Sequence, residues 1–217
     1  MRAERVDGAW LTWSRVGVGV AVVWQTTQLL RSGRWLVEYV TPPLRVPIWP
    51  LDALVLHGQD AMAALFTAIT LLGAAFAAGV ARAATGLALT ALLVVQFAQD
   101  GSLYLNHHYL ITLLVFTLAV APGPDADGLA PSWALALLRF HVVIPYLFAG
   151  VAKLDPDWLS GSPLDLWMPR RAADPWVGGL AASPLTPLIM AWCSTALDLA
   201  APLVLLLAPR GRAAAWA

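Results

Sequence analysis

Six stretches of the chain run almost free of charge, over residues 10–30, 58–80, 83–99, 105–121, 132–153 and 184–208. Nothing else in the sequence restricts the fold as much. Backbone N–H and C=O groups placed in lipid must find partners within their own segment, which a helix supplies. The runs are too long for the strands of a membrane barrel. With 59% of residues hydrophobic, 12% charged and a mean hydropathy of +0.70, the chain is too apolar for a soluble domain of 217 residues. The expected fold is all-α: a polytopic transmembrane helical bundle in a single domain over residues 1–217, with interfacial helices, and membrane lipid as its surroundings.

The connections carry their own signals. Gly79 to Arg82 leaves room only for a helical hairpin. APGPDADG at 121–128 reads as a loop, and Ser132 in PSW as the N-cap of the fifth run. Residues 31–57 and 154–183 mix Trp, Pro and Arg; they are too polar to span and too apolar to float free, so short interfacial helices on one side of the membrane are expected. Trp10, Trp13, Trp35, Trp49, Trp158 and Trp176 flank apolar runs as interfacial anchors do. The first run carries Arg15 and shows no cleavage site, so it reads as a retained helix. RGRAAAWA at 210–217 reads as the start of a seventh span, so the chain is expected to be C-terminally incomplete. A formal net charge of zero gives no sign of a nucleic-acid partner. Cys193 is the sole cysteine, which excludes an internal disulfide and a cysteine metal cluster.

Ionisable groups in a bilayer are costly. Arg15, Arg139, His141 and Asp198 all fall inside the runs, and Asp198 is expected to pair with Arg15 or Arg139. Arg139, Tyr146 and Lys153 are spaced by seven, which on a helix returns to nearly the same face and makes one polar stripe. In YLNHHYL, at 104–110, Asn106, His107 and His108 open the fourth run, on the side where the fifth ends at Lys153. The bland reading makes Asn106 a helix cap and leaves the histidines at the interface. Adjacent histidines diverge by about 100° on a helix and do not chelate one metal, so no metal site is expected. For Lys153 the alternatives are a snorkelling anchor and a base. A base must lose its proton near neutral pH, which Asp155 or Asp157 close by would oppose.

RFHVVIPYLFAGVAKLDPDWLSGSPL, at 139–164, resembles the signature of the vitamin K-dependent gamma-carboxylase family, whose membrane region is also called the horizontally transferred transmembrane (HTTM) domain. AWLTWSRVGVGV, GVAR, QDGSLYLNHHYL and TALDLAAPLVLLL agree in order, so the resemblance covers nearly the whole chain. It implies that Lys153 is the base that deprotonates a reduced naphthoquinone, vitamin K or menaquinone hydroquinone, assisted by His107 and Asn106. Tyr146, His108 and Arg139 are the candidate quinone-contacting residues. The implied reaction consumes O2 and, in a carboxylase, CO2, with a glutamate of a protein or peptide substrate as the acceptor.

This sequence departs from the family in four ways. The large extramembrane domain and the later membrane segments of animal carboxylases are missing, the animal disulfide has no cysteines, and Ala152 stands where the animal enzyme has a second lysine. Quinone oxidation without glutamate carboxylation is compatible with these departures. The rival expectation is a non-catalytic or peptide-handling membrane module in which the polar stripe is structural. High Ala, Arg and Trp usage points to a GC-rich bacterial genome, and so to the bacterial cytoplasmic membrane.

Overall fold

The computed structural model describes residues 5–207 apart from 47 and 104. The RGRAAAWA stretch read above as a seventh span lies outside them. The described chain is helical almost throughout. Long helices occupy the apolar runs: α1 (Ala9–Ser32), α2 (Gln59–Ala78), α3 (Arg82–Ala98), α4 (Asn106–Val120) and α5 (Ser132–Ala152). Three short helices follow, α6 (Pro156–Leu159), α7 (Leu164–Trp167) and α8 (Gly178–Ala181), and the long α9 (Thr186–Leu207) ends the described chain. Among the described residues α2, α5 and α9 are long and apolar enough to cross a membrane; α3 and α4 are equally apolar but shorter, at 17 and 15 residues. The fold is an all-α helical bundle of membrane type.

The two long connections fold into short helical pieces. Residues Leu36–Val40 form a π-helical turn and Leu51–Leu54 a 3-10 turn. In the second connection α6, α7, the 3-10 turn Met168–Arg171 and α8 follow one another. A small feature has no counterpart in the sequence reading: β1 (Arg5–Asp7) pairs antiparallel with β2 (Leu129–Pro131), Val6 opposite Ala130. Arg5 locks this ribbon, bonding Asp125 at 2.8 Å and the Leu129 carbonyl at 3.0 Å. Three-residue strands are too short to show a period of two. Ser132 is the first residue of α5 and not its cap.

The chain forms two compact units, one up to Leu138 and one from Arg139 to the end of α9. In the first, α1 packs on α2, α2 on α3, α3 on α4, and α4 back on α1. Its core is built from Met62, Phe66, Ile69, Phe76, Leu89, Val115 and Leu118, all buried. Lipid is as apolar as leucine, so helices in a membrane associate through close packing and hydrogen bonds. Small residues supply the close approaches. A Cβ on Gly19 of α1 would lie 2.7 Å from the Ala77 Cβ and 2.9 Å from the Gly73 carbonyl of α2. A Cβ on Gly86 of α3 would lie 2.6 Å from the Ala119 Cβ of α4. The Thr26 and Thr70 hydroxyls bond at 2.8 Å across the α1–α2 seam.

Two arginines close the C-terminal ends of neighbouring helices. The last carbonyls of a helix have no partner within it and carry the negative end of its dipole. The Arg15 guanidinium donates to the Phe76 and Ala77 carbonyls at the end of α2. Arg82 donates to Leu118 and Ala119 at the end of α4. Arg15 is therefore a clamp on the end of α2, and its partners are backbone carbonyls and not the expected Asp198.

If close approach holds α1 against α2, Gly19→Ala lowers stability by about 1–3 kcal/mol through overpacking against backbone. Gly17→Ala, two residues away with nothing within 4 Å of the added carbon, leaves stability unchanged or raises it by up to about 1 kcal/mol through helix propensity. Thermal unfolding of the two variants in detergent checks both outcomes.

Candidate functional site

In the second unit, Lys153 follows directly on the last residue of α5. Its Nζ bonds the Asp198 Oδ2 of α9 at 2.7 Å, with both side chains mostly buried. This corrects the expected partner of Asp198: the cation is Lys153, not Arg15 or Arg139. The cause is a close approach one turn back. A Cβ on Gly150 would meet Leu199 Cδ2 at 2.7 Å and the Asp198 carbonyl carbon at 3.1 Å, so α9 passes α5 at the glycine. Lys153, three residues further on, then sits beside the Asp198 side chain.

The LDPDW motif completes this corner. Asp155 is the N-cap of α6, its Oδ1 accepting from the Asp157 N–H at 2.9 Å, with Pro156 in the first turn. Asp155 is thus engaged with backbone. The short helix brings the Trp158 ring to 5.0 Å from Lys153 Nζ, a cation–π contact. The indole N–H of Trp158 donates to the Ala191 carbonyl of α9 at 3.3 Å. Tyr146 and Arg139 belong to the same unit; Tyr146 is partly exposed on α5.

The first unit holds the other candidates. Asn106 is the first residue of α4, and Leu105, extended and without a side-chain bond to the helix, stands at the cap. Asn106 therefore does not cap the helix as the bland reading had it. The rings of His107 and His108 meet edge to face at 4.5 Å. His108 Nε2 bonds the Gln25 side-chain amide of α1, tying α4 to α1. Both histidines line a groove of about 920 Å3 together with Trp24, Gln25, Leu29, Arg31, Tyr39 and Leu105.

A smaller notch of about 20 Å3 shares Gln25, Tyr39, Leu103 and His108 with the groove and adds Thr26, Gln96, Asp100 and Thr112. Asp100 is 3% exposed. Its Oδ1 accepts from the Val46 and Ser102 N–H groups at 3.0 and 2.8 Å. Its Oδ2 is buried with no hydrogen-bond partner among the described residues. Burial pushes this carboxyl up, but the Ser102 and Val46 N–H groups, the Ser102 side chain and nearby Arg45 outweigh it and hold Asp100 below the usual carboxylate value. Burial raises the Tyr39 phenol, which stays neutral and able to donate.

Sequence reasoning passed over Gln25, Gln96 and Tyr39, and read Asp100 only as the residue preceding the histidine motif. One signal was available: His108 and Thr112 are four apart and so fall on one side of α4. The sequence does not show that these residues line the same notch as Gln96 and Asp100.

Two outcomes follow from this geometry. Asp198→Leu leaves Lys153 buried without its counter-ion and costs about 3–5 kcal/mol, whereas the double variant Lys153→Met/Asp198→Leu recovers most of the loss; unfolding of the three proteins in detergent reads it. A carboxyl lowered in the folded state stabilises above its unfolded value of about 3.9 and loses that contribution as pH falls through the folded value. The stability gap between the wild type and Asp100→Asn is therefore open at pH 7 and closes as the pH is brought below about 4, followed by thermal midpoints in detergent.

No solved structure matches the chain. The family model of the HTTM domain matches residues 3–217, which takes in both units and every candidate residue above. The chain belongs to the HTTM domain family.

Proposed function

We propose that this protein oxidises a reduced naphthoquinone, vitamin K or menaquinone hydroquinone, to its epoxide in the membrane. HTTM domains are typical of vitamin K-dependent carboxylase-related membrane proteins. The observation that carries the reading is the groove of about 920 Å3 lined by His107 and His108, the histidines singled out from the sequence. Its residues fit a bicyclic ring with two oxygens. Trp24, Leu29 and Leu105 offer apolar surface; Gln25, Tyr39 and the two histidines offer donors and acceptors; and Arg31, Arg34 and Glu38 add charge to the lining.

In this reading a bound hydroquinone supplies the electrons that reduce O2, leaving as epoxide with one water formed. Lys153 is the base, and His107 with Asn106 orients the ring oxygens. The Asp198 contact bears on how the lysine works. Transfer of the Nζ proton to Oδ2, 2.7 Å away, gives a neutral amine beside a neutral acid, which removes two charges from a buried site at once. Asp198 is then the lysine's proton partner as well as its anchor. Coupling to carboxylation of a glutamate in a protein or peptide is the further step of the same chemistry, with CO2 as co-substrate.

A second reading has its own support. The ammonium of Lys153 is already satisfied by a carboxylate and an indole face, as expected of a structural clamp in a non-catalytic or peptide-handling module.

Oxygen-dependent quinol epoxidation in nanodiscs separates the two. Lys153→Arg keeps the charge and the Asp198 pair but does not release a proton in a protein. It is expected to fold and insert normally and to lose activity by at least about 100-fold, the lower end of general-base contributions. Lys153→Ala is expected to regain turnover as pH rises and the quinol ionises unaided. Lys153→Arg matching an active wild type removes the base assignment; a wild type inert with every reduced naphthoquinone supports the clamp.

A further inference from the structure

The two arginines that close α2 and α4 bring more charge and more donors than that task uses. All four of their bonds to the helix-end carbonyls run from Nη1. A guanidinium has two further nitrogens that donate. Neither arginine has a buried nitrogen without a partner, so any of these nitrogens that lacks a bond is open to the surface. Among the described residues no acidic side chain forms an ion pair with Arg15 or Arg82. Asp125, in the adjoining loop, is taken by Arg5 at 2.8 Å. Two helix C-termini carry about half a negative charge each and two guanidiniums a full positive charge each, which leaves roughly one unit of positive charge at this end of the first unit. The two cations also lie close enough to repel one another.

Both arginines line one pocket, with Thr12, Leu118, Gly123 and Pro124 beside them and no acidic residue in its wall. Its volume is about 30 Å3, room for about two water-sized groups, such as two oxygens of one anion whose remainder stays at the mouth. The mouth is open: a Cβ added to Gly123 meets nothing within 4 Å, and Thr12 is exposed. The planar fork of a guanidinium matches the oxygens of a phosphate in pairs. The place in the fold points to the source. The pocket lies where α1 and α3 begin and α2 and α4 end, and Trp13, 73% exposed two residues before Arg15, marks this level as the boundary between membrane and water. We infer that Arg15 and Arg82 form a phosphate site at this membrane surface, filled by the headgroup of an anionic phospholipid. It sits at the opposite ends of α1 and α4 from the histidine groove, whose walls come from the last turns of α1 and the first turn of α4, and it does not rest on the quinone reading. A bound phosphate tethers three helix ends through two side chains, since each arginine is already fixed to a neighbouring helix.

The test is thermal unfolding of the full chain in a non-ionic detergent and phosphate-free buffer, with dioleoyl phosphatidylglycerol, dioleoyl phosphatidylcholine or inorganic phosphate added at equal concentration. Phosphatidylglycerol is expected to raise the midpoint by about 3 °C or more as it saturates the site. Phosphatidylcholine, whose ammonium offsets its phosphate, is expected to raise it much less, and inorganic phosphate to leave it in place. Replacing either arginine also removes partners from helix-end carbonyls, so the decisive variants leave both in place. Thr12→Glu sets a carboxylate at the mouth as a competitor within the chain and is expected to abolish the response to phosphatidylglycerol; Thr12→Gln, of the same shape without the charge, is expected to keep it. Equal shifts with the two lipids, or a Thr12→Glu protein that responds like the wild type, overturn the site. Inorganic phosphate that reproduces the full shift overturns the lipid as its source. Should Thr12→Glu not fold, Gly123→Glu, built into open space, carries the same comparison.

Discussion

A polar group shut away from water must be met by a partner inside the protein, and much of this structure consists of such meetings. The open carbonyls at the ends of α2 and α4 are met by Arg15 and Arg82. The Asp198 carboxylate is met by Lys153. In a low-dielectric setting each of these would otherwise cost several kcal/mol. The arginines satisfy backbone; the lysine satisfies Asp198 at the α5–α9 corner. One requirement thus assigns three cations to three places.

These partners meet because the helices come close. Gly19 against Gly73 and Ala77, Gly86 against Ala119, and Gly150 against Leu199 remove the side chains that would hold the axes apart. Where lipid offers no hydrophobic gain, dispersion contacts and short polar links supply the attraction, and both need small interaxial distances. At Gly150 the consequence reaches the chemistry, because the same approach sets Asp198 beside Lys153. Asp155 and Pro156 add a helix start that turns Trp158 onto the lysine.

The candidate chemistry is divided between the two units. The second presents a single amine held between a carboxylate and an indole. The first presents a groove whose wall combines aromatic and aliphatic surface with His107, His108 and Tyr39. The ammonium holds a proton beside an acceptor.

The long helices were legible in the sequence because lipid leaves a chain little choice: an apolar run of spanning length has to satisfy its own backbone, and the helix does so locally. The hairpin at Gly79–Arg82 and the loop at 121–128 were legible for the same local reason, glycine and proline being read over a few residues. The polar residues were also legible as exceptions to an apolar background, which is how Lys153, Asp198, Asn106, His107 and His108 were picked out. Their partners were not. Lys153 and Asp198 are 45 residues apart, and the stripe of α5 alone is equally compatible with Arg139 as the cation for Asp198. The three-residue ribbon of β1 and β2, the engagement of Arg15 with the end of α2 and the recess behind His108 likewise depend on where separate helices pass one another. Sequence periodicity fixes one helix face at a time; only tertiary packing sets the distance and rotation between faces, and with them which charge each buried group meets.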